Sequence, residues 1–122
     1  MVYVAYSQLG QGNPDNARLS LVEGLQIVQE SGITFLMPEI VLGIAMLKSS
    51  IGDAENGAVL AGAVEAFPTT HPVTRRFILP FVKSQLKALL APEIYKAARD
   101  RGKLLNLKHV AEELLEKLSY GS

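Results

Sequence analysis

The chain has 122 residues, of which 48% are hydrophobic and 20% charged, and these values are typical of one globular domain. It contains no cysteine, which excludes disulfide scaffolds, cysteine-ligated metal sites and thiol nucleophiles. The net charge is zero, but residues 1 to 70 carry two bases and seven acids, whereas residues 71 to 122 carry ten bases and five acids. One explanation is that each half simply has a solvated face of one dominant sign. The alternative is that the basic half attracts an acidic partner or the acidic half of a second copy.

Apolar residues recur at helical spacing along the whole chain, which predicts an all-α fold. Seven helices are predicted from proline, glycine and capping signals: 2–10, 14–31 after Asn13, one starting between Thr34 and Pro38 and ending at Gly52, one after Asp53, 72–90, 92–102, and one after Asn106. Asp53 and Asn106 are predicted N-caps. Pro80 lies inside the fifth of these helices, and we expect it to kink or split that helix near residues 77 to 80.

Three predicted helices have a clear apolar stripe that should face the core. The stripes consist of Ala17, Leu21, Gly24 or Leu25, and Val28; then Ile40, Val41, Ile44 and Leu47; and finally Leu107, Val110, Ala111, Leu114, Leu115 and Leu118. The helix after Asp53 is rich in alanine and glycine instead. Its small residues predict that another helix approaches it closely, which requires no ligand.

An internal similarity links two parts of the chain that lie forty residues apart. Residues 5–17 read AYSQLGQGNPDNA and residues 45–57 read AMLKSSIGDAENG, each with a glycine five residues before a small residue of the next helix. Helical repeats of this length stack side by side, because a single unit cannot bury its own apolar face. The pattern predicts repeated helix pairs.

The segment from Ala5 to Ala17, with Tyr6, Gly10 and Ala17 in order, resembles the tetratricopeptide pattern of a helix-one aromatic, a turn glycine and a helix-two alanine. Residues 60–67, LAGAVEAF, and residues 95–111, with Tyr95 and Gly102, resemble the helical C-terminal region of large bacterial signalling ATPases and of LuxR-like or SARP-like transcriptional regulators. The resemblance implies a tetratricopeptide-like stack of antiparallel helix pairs, with about seven helices and a closing C-terminal helix.

The sequence departs from that family pattern at several points. Arg99 stands where the family has a second aromatic, and Gly57 stands where it has alanine. The phosphate-binding GxxxxGK[ST] loop of the family's ATPase domain does not occur in residues 1–122. The resemblance therefore implies one helical-repeat domain over 1–122, as a fragment or C-terminal segment of a larger protein or a stand-alone relative, and it transfers no catalytic or ligand residue.

No combination of polar residues predicts catalysis. The two histidines, His71 and His109, are far apart, so a Ser/His/Asp arrangement would require a tertiary coincidence. His109 and Glu113 have a helical spacing that could hold a metal, but a third ligand is not apparent. The acids Glu112, Glu113 and Glu116 are expected to lie on a solvated face. We expect no enzyme activity, no metal and no cofactor.

The leading functional prediction is a non-catalytic interaction or sensor scaffold that binds a protein partner or couples domains of a regulator. Candidate partner-binding residues are Tyr3, Tyr6, Arg18, Arg75, Arg76 and Arg99. The side chains Phe35, Met37, Met46, Phe77 and Phe81 could line a peptide groove, although their spacing, like that of Tyr95, also suits core packing.

Two other functions remain open at this stage. Residues 75–108 contain nine bases and two acids, which could bind nucleic acid through residues 71–122. A small-molecule sensor between the third and fifth predicted helices is suggested by small residues and by Pro80. We also expect self-association, for example as a homodimer. We expect a cytoplasmic location, since no apolar run is long enough to span a membrane and no basic segment precedes a signal-type core.

Overall fold

The computed structural model describes residues 14–32, 36–68 and 70–120, and within them it shows six α-helices, one π-helical segment and no strand. The helices are α1 Pro14–Ser31, α2 Met37–Ser50, α3 Ala54–Ala66, α4 Leu79–Leu89, α5 Pro92–Lys103 and α6 Leu107–Tyr120. The predicted all-α class is confirmed. The helix predicted over 2–10 and its neighbour Asn13 lie outside the described residues.

Most predicted helix ends are found where the sequence places them. Gly32 follows α1 with φ of 72° and Gly52 follows α2 with φ of 88°, a left-handed conformation that glycine adopts without steric cost. The side-chain Oδ1 of Asn106 accepts hydrogen bonds from the backbone N–H of Lys108 at 3.0 Å and of His109 at 3.2 Å, which confirms the predicted N-cap of α6.

Asp53 precedes α3 as predicted, but the expectation that its side chain caps the helix is wrong. Its carboxylate makes no capping hydrogen bond to the backbone. It instead accepts hydrogen bonds from the side-chain nitrogen of Asn56 at 2.9 and 3.0 Å, and forms an ion pair with Lys48 at 3.7 Å. The side chain thus joins the end of α2 to the start of α3.

The predicted apolar stripes form the core of the molecule. Buried members are Leu21, Leu25 and Val28 of α1, Ile40, Val41, Ile44 and Leu47 of α2, and Leu107, Val110, Ala111 and Leu114 of α6, with Leu115 partly buried. The side chains of Ala17 and Leu118 lie outside the described part of the structure.

Helix α3 occupies the centre, in contact with α2, α4 and α5. A Cβ atom on Gly57 would lie 2.9 Å from the carbonyl oxygen of Ala45 in α2. On the α5 side, a Cβ atom on Gly62 would overlap the carbonyl oxygen of Arg99, and one on Gly102 would overlap that of Val59. The predicted close approach of another helix is confirmed, because these glycines bring helix backbones into direct contact.

The helix over residues 72–89 is interrupted by a π-helical segment, Thr74–Ile78, that runs directly into α4. The backbone N–H of Leu79 bonds to the carbonyl of Thr74, five residues earlier. The wider turn ends two residues before Pro80, whose ring would otherwise clash with the carbonyl of Arg76. The helix predicted to kink or split near residues 77 to 80 is therefore continuous, and its irregularity is a π-helical turn that ends just before Pro80.

Helix α6 returns to pack on α1, so that the last described helix contacts the first. In an open row of repeats each unit contacts only its neighbours. The described helices show helical packing of consecutive elements together with this closing contact. Tetratricopeptide-like stacking and a count of seven helices stay predictions.

Candidate functional site

Three large apolar side chains lie exposed in a row on the 72–89 helix. Val73, Phe77 and Phe81 recur every four residues and are 48%, 62% and 53% exposed. We call these three residues the aromatic face. The guanidinium of Arg76 lies 5.3 Å from the centroid of the Phe77 ring, in a cation–π contact that holds a positive charge beside the row. Scattered exposed apolar residues are common, but a row with two phenylalanines is a feature of interaction sites.

The π-helical segment determines which residue before Leu79 packs against the core. Helix α4 buries Leu79, Val82 and Leu86 at ordinary helical spacing. A continuous α-helix would place Arg75, four residues before Leu79, over the same core, but the extra residue of the π turn gives that place to Thr74. Arg75, Arg76 and Phe77 are left on the exposed side.

Core packing was a reasonable expectation for Phe77 and Phe81, and it is wrong. Both lie two residues from the buried Leu79, which corresponds to about 200° of α-helical rotation and places them on the side away from the core. Tyr95, by contrast, is buried as expected, with 4% exposure, and so is Met37 with 2%. Met46 is partly buried, and Phe35 lies outside the described residues. Among the described residues, the proposed groove side chains that are exposed are Phe77 and Phe81.

Basic residues lie on the same helix as the aromatic face. Arg75, Lys83 and Lys87 line a depression of about 430 Å³ together with Leu79, Pro80 and Ser84, and no acidic residue lines it. Arg75 also donates hydrogen bonds from Nη1 and Nη2 to the backbone carbonyls of Glu65 at 3.1 Å and Phe67 at 2.7 Å. These bonds satisfy carbonyls at the C-terminal end of α3, so Arg75 has a structural role.

A second depression, of about 320 Å³, lies between the end of α4 and the first part of α5. It is lined by Lys87, Leu90, Pro92, Tyr95, Lys96 and Arg99, and it shares Lys87 with the first depression. The ammonium of Lys87 lies 5.5 Å from the centroid of the Tyr95 ring. We call the two depressions, which Lys87 joins, the basic surface.

Tyr95 and Arg99 lie beside Glu65 in the contact between α3 and α5. Burial raises the pKa of the Tyr95 hydroxyl above its ordinary value, the charge of Glu65 raises it further, and the charge of Arg99 opposes the shift. A hydrogen bond to Asp100, at 3.2 Å, raises the pKa of Arg99. Three buried atoms of this cluster lack a hydrogen-bond partner among the described residues, namely Tyr95 Oη, Arg99 Nε and Glu65 Oε2.

The other oxygen of Glu65 is neutralised by two lysines. Its Oε1 lies 3.4 Å from the Nζ of Lys83 and 3.8 Å from the Nζ of Lys103. Because the side chain of Glu65 is only 22% exposed, these pairs keep its negative charge from dominating the basic surface nearby. The surface on this side of the molecule is thus positive overall.

The six residues predicted to bind a partner are distributed unevenly. Arg75 and Arg99 line the two depressions that share Lys87, and Arg76 follows Arg75 on the 72–89 helix, beside Phe77. Arg18 lies on α1, partly buried, and Tyr3 and Tyr6 lie outside the described residues. The aromatic face was not among these six residues, although Phe77 and Phe81 were among the side chains expected from sequence to line a peptide groove or pack in the core.

The polar residues considered for catalysis or metal binding are dispersed over the surface. His71 accepts a hydrogen bond at Nδ1 from the backbone N–H of Val73, at 3.1 Å, where the 72–89 helix begins. His109, Glu112, Glu113 and Glu116 are exposed on α6. Over residues 14–32, 36–68 and 70–120, no three histidine, aspartate or glutamate side chains are grouped so that they could hold a metal ion.

None of the described helices is both long and apolar enough to cross a membrane. Comparisons of the chain with protein-family models, with curated proteins and with solved structures found no match. The aromatic face and the basic surface are the features of the described residues that bear on function.

Proposed function

We propose that this chain is a non-catalytic helical protein-interaction domain, and that its aromatic face binds an acidic, amphipathic segment of another protein. The observation that carries the proposal is the exposure of Phe77 and Phe81 beside Arg76. Aromatic and arginine side chains are enriched at protein interfaces, and an aromatic ring buries a large area with only two rotatable bonds.

The charge of the surroundings supports an acidic partner. Arg76 forms no ion pair with a described carboxylate, and the depression lined by Arg75, Lys83 and Lys87 contains no acid. An amphipathic helix that places apolar residues on Phe77 and Phe81 would hold its acidic residues over these bases. The π-helical segment is further support, since such segments occur frequently at functional sites.

In this proposal the domain works as the tetratricopeptide-like interaction segment of a bacterial transcriptional regulator or signalling ATPase, as the sequence resemblance implies. It takes no part in catalysis, and its partner is a separate protein or another domain of the same chain. Association between copies is included in the proposal, because the acidic residues of 1–70 could meet the basic surface of a second copy.

The test is a selection of peptides from a random display library on the purified 122-residue chain. We expect enriched peptides that combine acidic residues with aromatic or aliphatic ones. Their affinity should fall at least about tenfold for the double variant Phe77→Ser/Phe81→Ser, since loss of two central aromatic anchors costs more than about 1.4 kcal/mol. The matched control is Leu104→Ser, which removes a side chain that is 88% exposed elsewhere and should leave binding unchanged.

Two outcomes would overturn the proposal. One is the selection of peptides that bind the double variant and the native chain equally well. The other is that no peptides are enriched, and that the native chain binds a fluorescent single-stranded oligonucleotide whereas the double variant does not. That second result would assign the surface to nucleic acid, whose nucleobases would stack on the phenylalanines and whose phosphates would contact the lysines and arginines of the chain. Circular dichroism melts verify that each variant is folded.

A further inference from the structure

The depression between the end of α4 and the first part of α5 has the features of a small-ligand site. Its volume of about 320 Å³ lies at the lower end of the range of pockets that hold small molecules. Three of its six lining residues are cationic, Lys87, Lys96 and Arg99, and none is acidic. We propose that this depression binds the phosphoryl group of a small organic phosphate ester.

The cations that line the depression are available to an anion. Neither Lys87 nor Lys96 forms an ion pair with a described carboxylate. Arg99 has one ionic partner there, the adjacent Asp100, whose side chain is 52% exposed. A guanidinium presents paired N–H donors that match two oxygens of a phosphoryl group, while the two ammonium groups supply further charge.

The acidic residues nearest to the depression do not cancel this charge. Glu93 is exposed in the first turn of α5 but does not line the depression. Glu65 lies beside Tyr95 and Arg99, and its carboxylate is held by Lys83 and Lys103. The depression also opens at the start of α5, which begins at Pro92, where the helix dipole favours a negative ligand.

The shape and the remaining lining residues favour an ester over a bare ion. Leu90, Pro92 and Tyr95 supply an apolar wall in the same depression as the cations. The volume is about ten times the roughly 30 Å³ that a water molecule occupies, which leaves room for an organic group beside the phosphoryl oxygens. Tyr95 is fixed by burial, so this wall is formed before a ligand binds.

This proposal and the proposed function share Lys87 but depend on different apolar residues. The depression does not include Val73, Phe77, Phe81 or Arg76. Loss of peptide binding in the Phe77→Ser/Phe81→Ser variant would therefore leave ester binding intact. Failure of either proposal can be recognised separately from failure of the other.

The experiment is a titration of the ¹⁵N-labelled 122-residue chain with phenyl phosphate, followed by two-dimensional NMR at constant ionic strength. We expect amide signals of residues 93–99 to shift and saturate with a Kd of about 1 mM, as befits three surface charges and a small apolar wall. Lys96→Gln, which alters an exposed side chain, should weaken binding about threefold to fivefold. The control Lys117→Gln removes an exposed lysine of α6 and should leave the Kd unchanged.

Three results would overturn the proposal. The first is the absence of saturation up to about 20 mM phenyl phosphate. The second is a Kd for inorganic phosphate equal to that for phenyl phosphate, which would remove the role of the apolar wall. The third is binding of a phosphotyrosine peptide without binding of phenyl phosphate, which would assign the depression to a phosphorylated protein. The NMR spectrum of each variant shows directly whether it remains folded.

Discussion

Replacing Gly62 by alanine tests the contact between the backbones of α3 and α5. The added Cβ would overlap the carbonyl oxygen of Arg99 and come within 2.9 Å of its carbonyl carbon. These are backbone atoms of a helix, so they cannot rotate away as the end of a side chain could. The two helices must separate, or one must shift along the other, before the methyl group fits.

The expected loss of stability is the difference between two effects. Alanine in a helix interior is favoured over glycine by about 1 kcal/mol. Overpacking a close contact costs about 1–3 kcal/mol and occasionally more, and backbone overlap belongs at the upper end. We therefore expect Gly62→Ala to lower the free energy of unfolding by about 2 kcal/mol, which corresponds to a fall in Tm of about 6–12 °C for a domain of this size.

Urea unfolding followed by circular dichroism at 222 nm measures this change directly. Gly57→Ala provides a graded comparison, because its Cβ would meet the Ala45 oxygen at 2.9 Å and a movable Leu86 methyl at 3.0 Å. It should change stability by less than Gly62→Ala does. Ala97→Leu enlarges an exposed position of α5 and should stay within about 0.5 kcal/mol of the native chain. A Gly62→Ala variant as stable as the native chain would show that the helix contact is not limited by the glycine.

Two further predictions concern polar groups. Tyr95→Phe removes a buried hydroxyl without a hydrogen-bond partner and should leave stability at pH 7 unchanged or raise it by up to about 1 kcal/mol in a urea titration. The folded state raises the pKa of Tyr95 above 10.0, so the native chain binds more protons than the unfolded chain above that pH. The stability of the native chain should therefore fall as the pH rises past 10, and it should fall less steeply in Tyr95→Phe. An equal change of Tm with pH in the two chains between pH 9 and 11 would contradict this. Asn106→Ala removes the N-cap of α6 and should lower the free energy of unfolding by about 1 kcal/mol, measured by thermal unfolding. Asn106→Asp should retain most of the stability. An equal Tm for Asn106→Ala and the native chain would argue against the cap.

The ends of the helices could be predicted because local chemistry decides them. Gly32 and Gly52 adopt positive φ, and Asn106 caps α6, so each signal acts within a few residues of the chain. The apolar stripes of α1, α2 and α6 could be predicted for a similar reason. Regular spacing on one helix determines which side is buried, whatever that side packs against.

The candidate site could be predicted only in part. Arg75 and Arg99 were selected as basic residues, and they line the two depressions that share Lys87. Helical spacing alone allowed Phe77 and Phe81 to face the core or the solvent, and the burial of the alternative stripe in α4 decides that they face the solvent. The exposure of Arg75 could not be obtained from α-helical spacing, since the π turn moves Thr74 into the core in its place. The hydrogen bonds of Arg75 to the end of α3 are tertiary contacts between residues eight and ten positions apart, so no local sequence pattern predicts them.

The π-helical turn also indicates how the exposed side of the 72–89 helix could change within a lineage of related chains. A π turn differs from an α-helical one by a single additional residue. Deleting one residue from the Thr74–Ile78 segment would restore uniform α-helical winding, with Thr74 four residues before Leu79 and still on the core side. The parts of the helix before and after the deletion would keep the faces they have now. One codon could therefore add or remove one residue of the exposed surface, without any change to the core beneath α4.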